Sequence, residues 1–122
     1  MKVYTLLLTA FLSTSLSAQL NETALQVKQI QPEVYNGIRV LSIILHEGEN
    51  YEVSQEINKQ CSAYMEIVNY VEDIEMDVLL SLMRRFCGDQ EQFDILVNQN
   101  DFERCFNLPI DWWLVNETIF NY

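Results

Sequence analysis

The chain has 122 residues, 49% of them hydrophobic, and sets 18 acidic residues against seven lysines and arginines for a net charge of −11. A surface of that sign excludes binding to nucleic acid or to anionic lipid headgroups, both of which need positive charge. The apolar content excludes a disordered acidic tail, and the length allows one small domain with one core.

Residues 1–18, MKVYTLLLTAFLSTSLSA, read as an export signal. Lys2 supplies the positive start, Val3 to Leu12 the apolar run, and Ser13 to Ala18 the small residues before cleavage. The run falls short of the roughly 20 apolar residues that span a bilayer. The expectation is a single secreted, extracellular domain over residues 19–122, with no membrane association in the mature form. Loss of Lys2 with the leader leaves six basic and 18 acidic residues, a net charge of −12 with His46 neutral.

Asn21 opens the next segment as a helix cap, and Leu25, Val27 and Ile30 give a weak helical stripe ended by Pro32. Proline suits the first turn of the following helix, expected from Glu33 to His46 with Val34, Ile38, Leu41 and Leu45 on one face. A strand over Ile38 to Leu45 is the rival reading, because that run is rich in β-branched residues. Gly48 and Asn50 then mark a loop. Val53, Ile57, Cys61, Tyr64, Val68 and Val71 recur at three- and four-residue steps, the clearest amphipathic helix in the chain.

Asp73 is expected to cap a further helix carrying Ile74, Val78, Leu82 and Phe86. Arg84 and Arg85 complement the dipole of its last turn, and Gly88 stops it. Asp89 with Gln92 resembles a capping box for a helix with Phe93, Leu96 and Val97. A short helix near Phe102 to Phe106 precedes Pro109, and Asp111 caps a last helix from Trp112 to about Phe120. Three glycines and two prolines leave few breakers. The fold class predicted is all-α, a small compact domain of five to seven helices with one disulfide.

Three cysteines follow the leader: Cys61, Cys87 and Cys105. An oxidising compartment favours pairing, and the odd number leaves one thiol over. Cys87–Cys105 is the first expectation, each lying near a helix end; closing that loop stabilises by about 3 kcal/mol in the chain-entropy model. Cys61, on an apolar stripe, is then a free buried thiol; the alternatives are Cys61–Cys105 or an intermolecular Cys61 bridge that makes a dimer. None of these spacings matches a zinc site. Export also makes two sequons usable, Asn21-Glu22-Thr23 and Asn116-Glu117-Thr118.

No catalytic constellation stands out. His46 is the one histidine available as a base, and nothing nearby in the sequence marks it. Glu72, Asp73, Glu75 and Asp77 form the densest acidic cluster, in a helix first turn where acids are common anyway. There is no calcium loop and no glycine-rich phosphate cradle. The expectation is a non-enzyme without catalytic, cofactor-binding or metal residues. Trp112, Trp113, Phe86, Phe93, Phe102, Phe106 and Phe120 form either a packed core or the lining of a lipophilic pocket.

Over Val78 to Phe106, the residues Leu82, Phe86, Cys87, Gly88-Asp89, Phe93 and Glu103-Arg104-Cys105 follow a pattern. It resembles that of the insect haemolymph glycoprotein family named for its twenty-seven-kilodalton member. The likeness covers about a quarter of the chain, which is shorter than family members and has fewer cysteines. It implies a secreted, helical, non-enzymatic glycoprotein of body fluid and carries over no functional residue. Odorant-binding proteins are similar in composition, but their Cys-x-x-x-Cys element is missing. The partners to consider are therefore a small lipophilic ligand or an extracellular protein.

Overall fold

A computed structural model describes residues 19–121, so the expected export signal over 1–18 lies outside the described residues. Within them the chain forms seven α-helices: α1 Glu22–Ile30, α2 Pro32–Leu45, α3 Asn50–Asn69, α4 Met76–Arg85, α5 Gln90–Asn98, α6 Phe102–Cys105 and α7 Trp112–Phe120. A 3-10 turn, Val71–Asp73, links α3 to α4. The all-helical expectation holds, and the β-branched run Ile38 to Leu45 lies inside α2 rather than in a strand.

Local chemistry sets several of these boundaries. Asn21 Oδ1 accepts from Ala24 N at 2.8 Å to cap α1, and Pro32 sits at the first position of α2. Glu47 and Gly48 then turn the chain with positive φ angles of 52° and 79°. Gly48 N donates back to Ile43 O, meeting a carbonyl that the last turn of α2 would otherwise leave open. Asp89 caps α5 through Gln92 N, and Asp111 caps α7 through Leu114 N, both at 3.1 Å.

The 20-residue α3, about 30 Å long at 1.5 Å per residue, is the spine of the domain. It packs against α1 and α2 on one side and against α7 on another. α4 meets α5 and α7, and the short α6 packs on α5. An isolated antiparallel bridge pairs Cys87 with Ile110, where Gly88 N donates to Pro109 O and Asp111 N to Phe86 O. That bridge ties the exit of α4 to the entrance of α7.

The core runs through Ile38, Ile57, Tyr64, Ile67, Leu79, Met83, Phe93 and Trp112. The Trp112 ring meets the edge of Tyr64 at a 5.0 Å centroid distance and stacks on Phe106 at 5.7 Å. Two expectations are corrected. Asp73 does not cap α4: it closes the 3-10 turn, and Glu75 occupies the N-cap without a side-chain bond. The buried face of α4 is Leu79 and Met83, while Val78 stays exposed and Leu82 half-buried. The helix begins two residues later than an Asp73 cap implied, and its inward i,i+4 pair is Leu79 and Met83, one position on from the expected Val78 and Leu82.

Candidate functional site

The most developed polar feature joins three helices. His46 stands at the C-cap of α2; Glu56, Lys59 and Gln60 project from α3; Asp111 is the N-cap of α7. Positions 56 and 60 fall on the same face of α3 as the apolar Ile57 and Cys61, so the carboxylate and amide are carried into the interior. His46 Nε2 donates to Glu56 Oε1 at 2.9 Å, and Gln60 Nε2 donates to Glu56 Oε2 at 2.9 Å and to Asp111 Oδ1 at 2.8 Å. Gln60 Oε1 accepts from Trp113 N at 3.1 Å, and Lys59 Nζ lies 3.3 Å from Glu56 Oε2.

The Glu56 side chain is only 8% exposed. Burial pushes its carboxyl up, but the hydrogen bonds of His46 and Gln60 and the Lys59 ammonium outweigh that and hold it below the usual value. A cleft of about 290 Å³ opens beside it, lined by His46, Glu52, Gln55, Glu56 and Lys59. No hydroxyl or thiol is among those side chains. Both Glu56 oxygens are already engaged. The chemistry available here is that of a clamp, which satisfies buried polar atoms while fixing α7 to α3.

Next to the clamp the surface turns apolar. Val40 and Ile44, one turn apart on α2, are exposed together with Leu45, and Ile44 keeps 66% of its surface in solvent. Exposed Glu47, Glu49 and Glu52 follow directly in the chain. Isolated exposed hydrophobics are ordinary, but several together at one helix end, followed in the chain by three exposed acids, suit a contact surface.

The structure corrects the cysteine expectation. Cys87 and Cys105 are free thiols, not a disulfide, and Cys61 is free as well. All three are buried. Cys87 faces the turn after α4, where its sulfur accepts from Asp89 N at 3.4 Å; Cys105 Sγ lies 3.8 Å from the carbonyl of Asp101, the N-cap of α6. Cys61 is fully enclosed in the core, and its burial pushes the thiol up to about 12. An intermolecular Cys61 bridge would have to unpack α3.

The two sequon asparagines differ. Asn21 is exposed at the start of α1, and its backbone N donates to Asn58 Oδ1. Asn116 is half-buried on α7, with Nδ2 donating to Glu66 Oε2 at 2.9 Å. Glu72, Asp73, Glu75 and Asp77 are spread over the 3-10 turn and the start of α4, all exposed. No group of three or more metal-ligating side chains is gathered among the described residues.

Glu56 and Gln60 escaped the sequence reading. The available signal was two polar residues, one turn apart, beside the strongest apolar stripe in the chain. The partner of Gln60 lay 51 residues away, at a cap that sequence did identify. Comparison with protein-family models, curated proteins and solved structures found no match.

Proposed function

We propose that the chain is a secreted, acidic, helical glycoprotein of body fluid that has no catalytic role and works by surface contact with an extracellular protein. The observation that carries this reading is the exposed cluster Val40, Ile44 and Leu45 followed by the acidic Glu47, Glu49 and Glu52. Such a shoulder fits a partner with an apolar contact and a basic surround, where opposite charge speeds encounter and fixes register. Residues 1–18 support the export reading, the exposed Asn21 sequon supports glycosylation, and the resemblance over Val78 to Phe106 supports body fluid as the setting.

Three residues of that resemblance serve packing, while Gly88, Asp89, Glu103 and Arg104 are exposed. Cys87, Phe93 and Cys105 are buried between α4, α5, α6 and the approach to α7, which suits a structural motif rather than a site.

A second reading, carriage of a small lipophilic ligand, draws on a cleft of about 380 Å³ bordered by Val34, Tyr64 and Phe106 beside the Trp112 ring. Gln31, Glu33, Glu103, Arg104 and Asn107 make the rest of that lining polar, unlike the mostly apolar walls of lipophile sites.

The test is expression of the full chain through a eukaryotic secretory pathway, followed by intact and native mass spectrometry. A secreted, ligand-free chain starting near residue 19 is expected. It should cross-link to a protein of the body fluid, and Ile44→Lys should abolish that cross-link. Retention in the cell with the leader attached would sink the secreted reading. A co-purified lipophile would move the assignment to the carrier, and cross-linking indifferent to Ile44→Lys would remove the shoulder from the argument.

A further inference from the structure

Helices α3 and α7 run side by side, and three pairs cross between them on the solvent side. At one end Lys59 Nζ sits 4.6 Å over the Trp113 ring. In the middle Asn116 Nδ2 donates to Glu66 Oε2. At the other end the Tyr70 and Phe120 rings meet edge to face at 5.5 Å. The aromatic ends are poorly covered: Trp113 is 38% exposed, Phe120 40% and Tyr70 50%. Asn116 stands three positions after Trp113 and four before Phe120, so the three share one face of α7.

We propose that Asn116 anchors an N-linked glycan whose first sugars lie along this seam and cover the Tyr70–Phe120 pair. Phe120 is about 6 Å along the helix axis from Asn116 at 1.5 Å per residue, which is within reach of the first sugar ring. The C–H face of a pyranose is apolar and packs on an aromatic ring, while its hydroxyls stay in water. One attached group thus shields two exposed rings. Lys59 already occupies one side of Trp113, whereas no cationic side chain among the described residues lies over the Tyr70–Phe120 pair, which holds the most exposed ring of the seam, Tyr70 at 50%.

The donor is a lipid-linked oligosaccharide pyrophosphate. The C1–O bond to pyrophosphate breaks, the Nδ2–C1 bond forms, and the amide nitrogen gives up one of its two protons as the lipid pyrophosphate leaves. One Nδ2–H remains to donate to Glu66. In the folded chain Thr118 Oγ1 is committed to Leu114 O at 2.8 Å. The sequon is therefore modified before α7 forms, and the glycan settles on the seam as α7 docks.

This inference rests on the export reading, and Asn21 separates the two. The full chain is secreted from eukaryotic cells and its glycopeptides are mapped. Binding of a fluorescent naphthalene sulfonate dye is compared with that of Asn116→Gln and of Thr118→Ala, which deletes the sequon without touching Asn116. The expected result is sugar on Asn116 and a severalfold rise in dye binding in both variants. Adding Phe120→Ser should cancel that rise. Sugar on Asn21 with a bare Asn116 overturns the inference and leaves export standing. Sugar on Asn116 with unchanged dye binding in both variants also overturns it, because the glycan then points away from the seam. A glycosylated dimer that Tyr70→Ser dissociates would assign the seam to a second copy instead. Failure of secretion with both sequons bare overturns the inference and the export reading together.

Discussion

Gln60 and Asp111, 51 positions apart, meet through a 2.8 Å hydrogen bond from the buried amide to the carboxylate that caps α7. The same Asp111 Oδ1 accepts from Leu114 N, and Gln60 Oε1 takes the neighbouring Trp113 N. Two of the N–H groups that open α7 are thereby satisfied by two side chains, one of them from another helix. The remaining reach of Gln60, to Glu56 and on to His46, extends the clamp from α7 across α3 to the end of α2.

Replacing Gln60 by leucine keeps most of the volume and removes its three hydrogen bonds, to Glu56, Asp111 and Trp113 N. Trp113 N–H loses its partner in a part-buried setting, which costs about 1–3 kcal/mol, while Glu56 Oε2 loses the amide but keeps Lys59 at 3.3 Å. Urea unfolding of Gln60→Leu at neutral pH should show a loss within or above that range. Gln55→Leu, at an exposed position of α3, should stay within roughly 0.5 kcal/mol of the parent. Equal stability of the two variants would mean that the clamp contributes nothing.

Glu56 predicts a particular pH dependence. Its folded carboxyl lies below the ordinary value of 4.5, because hydrogen bonds and Lys59 outweigh burial. A depressed carboxyl stabilises the fold above its unfolded value, and that contribution is lost as pH falls through the folded one. In thermal unfolding from pH 7 to pH 3, Glu56→Gln should be less stable than the parent at neutral pH. The gap should narrow below pH 4.5. A gap constant across the range would show that the charge on Glu56 is not what the clamp uses.

Gly37 lies inside α2, where alanine would normally gain about 1 kcal/mol of helix propensity. Here a Cβ would come within 2.5 Å of Asn107 O and 2.6 Å of Leu108 O, both backbone atoms. The loop before α7 would have to move, an overpacking cost of about 1–3 kcal/mol. Gly37→Ala should therefore lower the melting temperature. Gly88→Ala, where the nearest atom is at 3.4 Å, should change it less. A stabilised Gly37→Ala would show that the 107–108 segment yields freely.

What sequence made legible was local. Asn21, Pro32, Asp89 and Asp111 mark helix starts through interactions within three or four residues, and the structure places each at or beside the boundary it implied. The inward face of α4 was not legible. Val78, Leu79, Leu80, Leu82 and Met83 offer more than one apolar stripe, and the packing of α4 against α5 and α7 leaves Leu79 and Met83 inside. The clamp was hidden for a related reason: nothing near Gln60 in the chain indicates Asp111, so only the docking of α7 onto α3 reveals the pair. The cysteine pairing failed because proximity to helix ends says little about where a sulfur points. Cys87 is turned to the loop at Asp89, and Cys105 to the carbonyls of Asp101 and Phe93.

The free thiols give a last prediction. Burial raises all three; Asp101 and Cys87 add to the effect at Cys105, and Cys61 is pushed up to about 12. A thiol so shifted is almost wholly protonated at pH 8, and the thiolate is the reacting species. In the folded protein at pH 8, iodoacetamide should leave Cys61 unmodified over hours and label Cys87, nearest the surface, ahead of Cys105. Unfolding in urea without reductant should make all three react. One reactive thiol instead of three would show that two cysteines pair in the purified protein. Labelling of folded Cys61 at the rate of a free peptide thiol would mean that α3 opens from the core far more often than its packing implies.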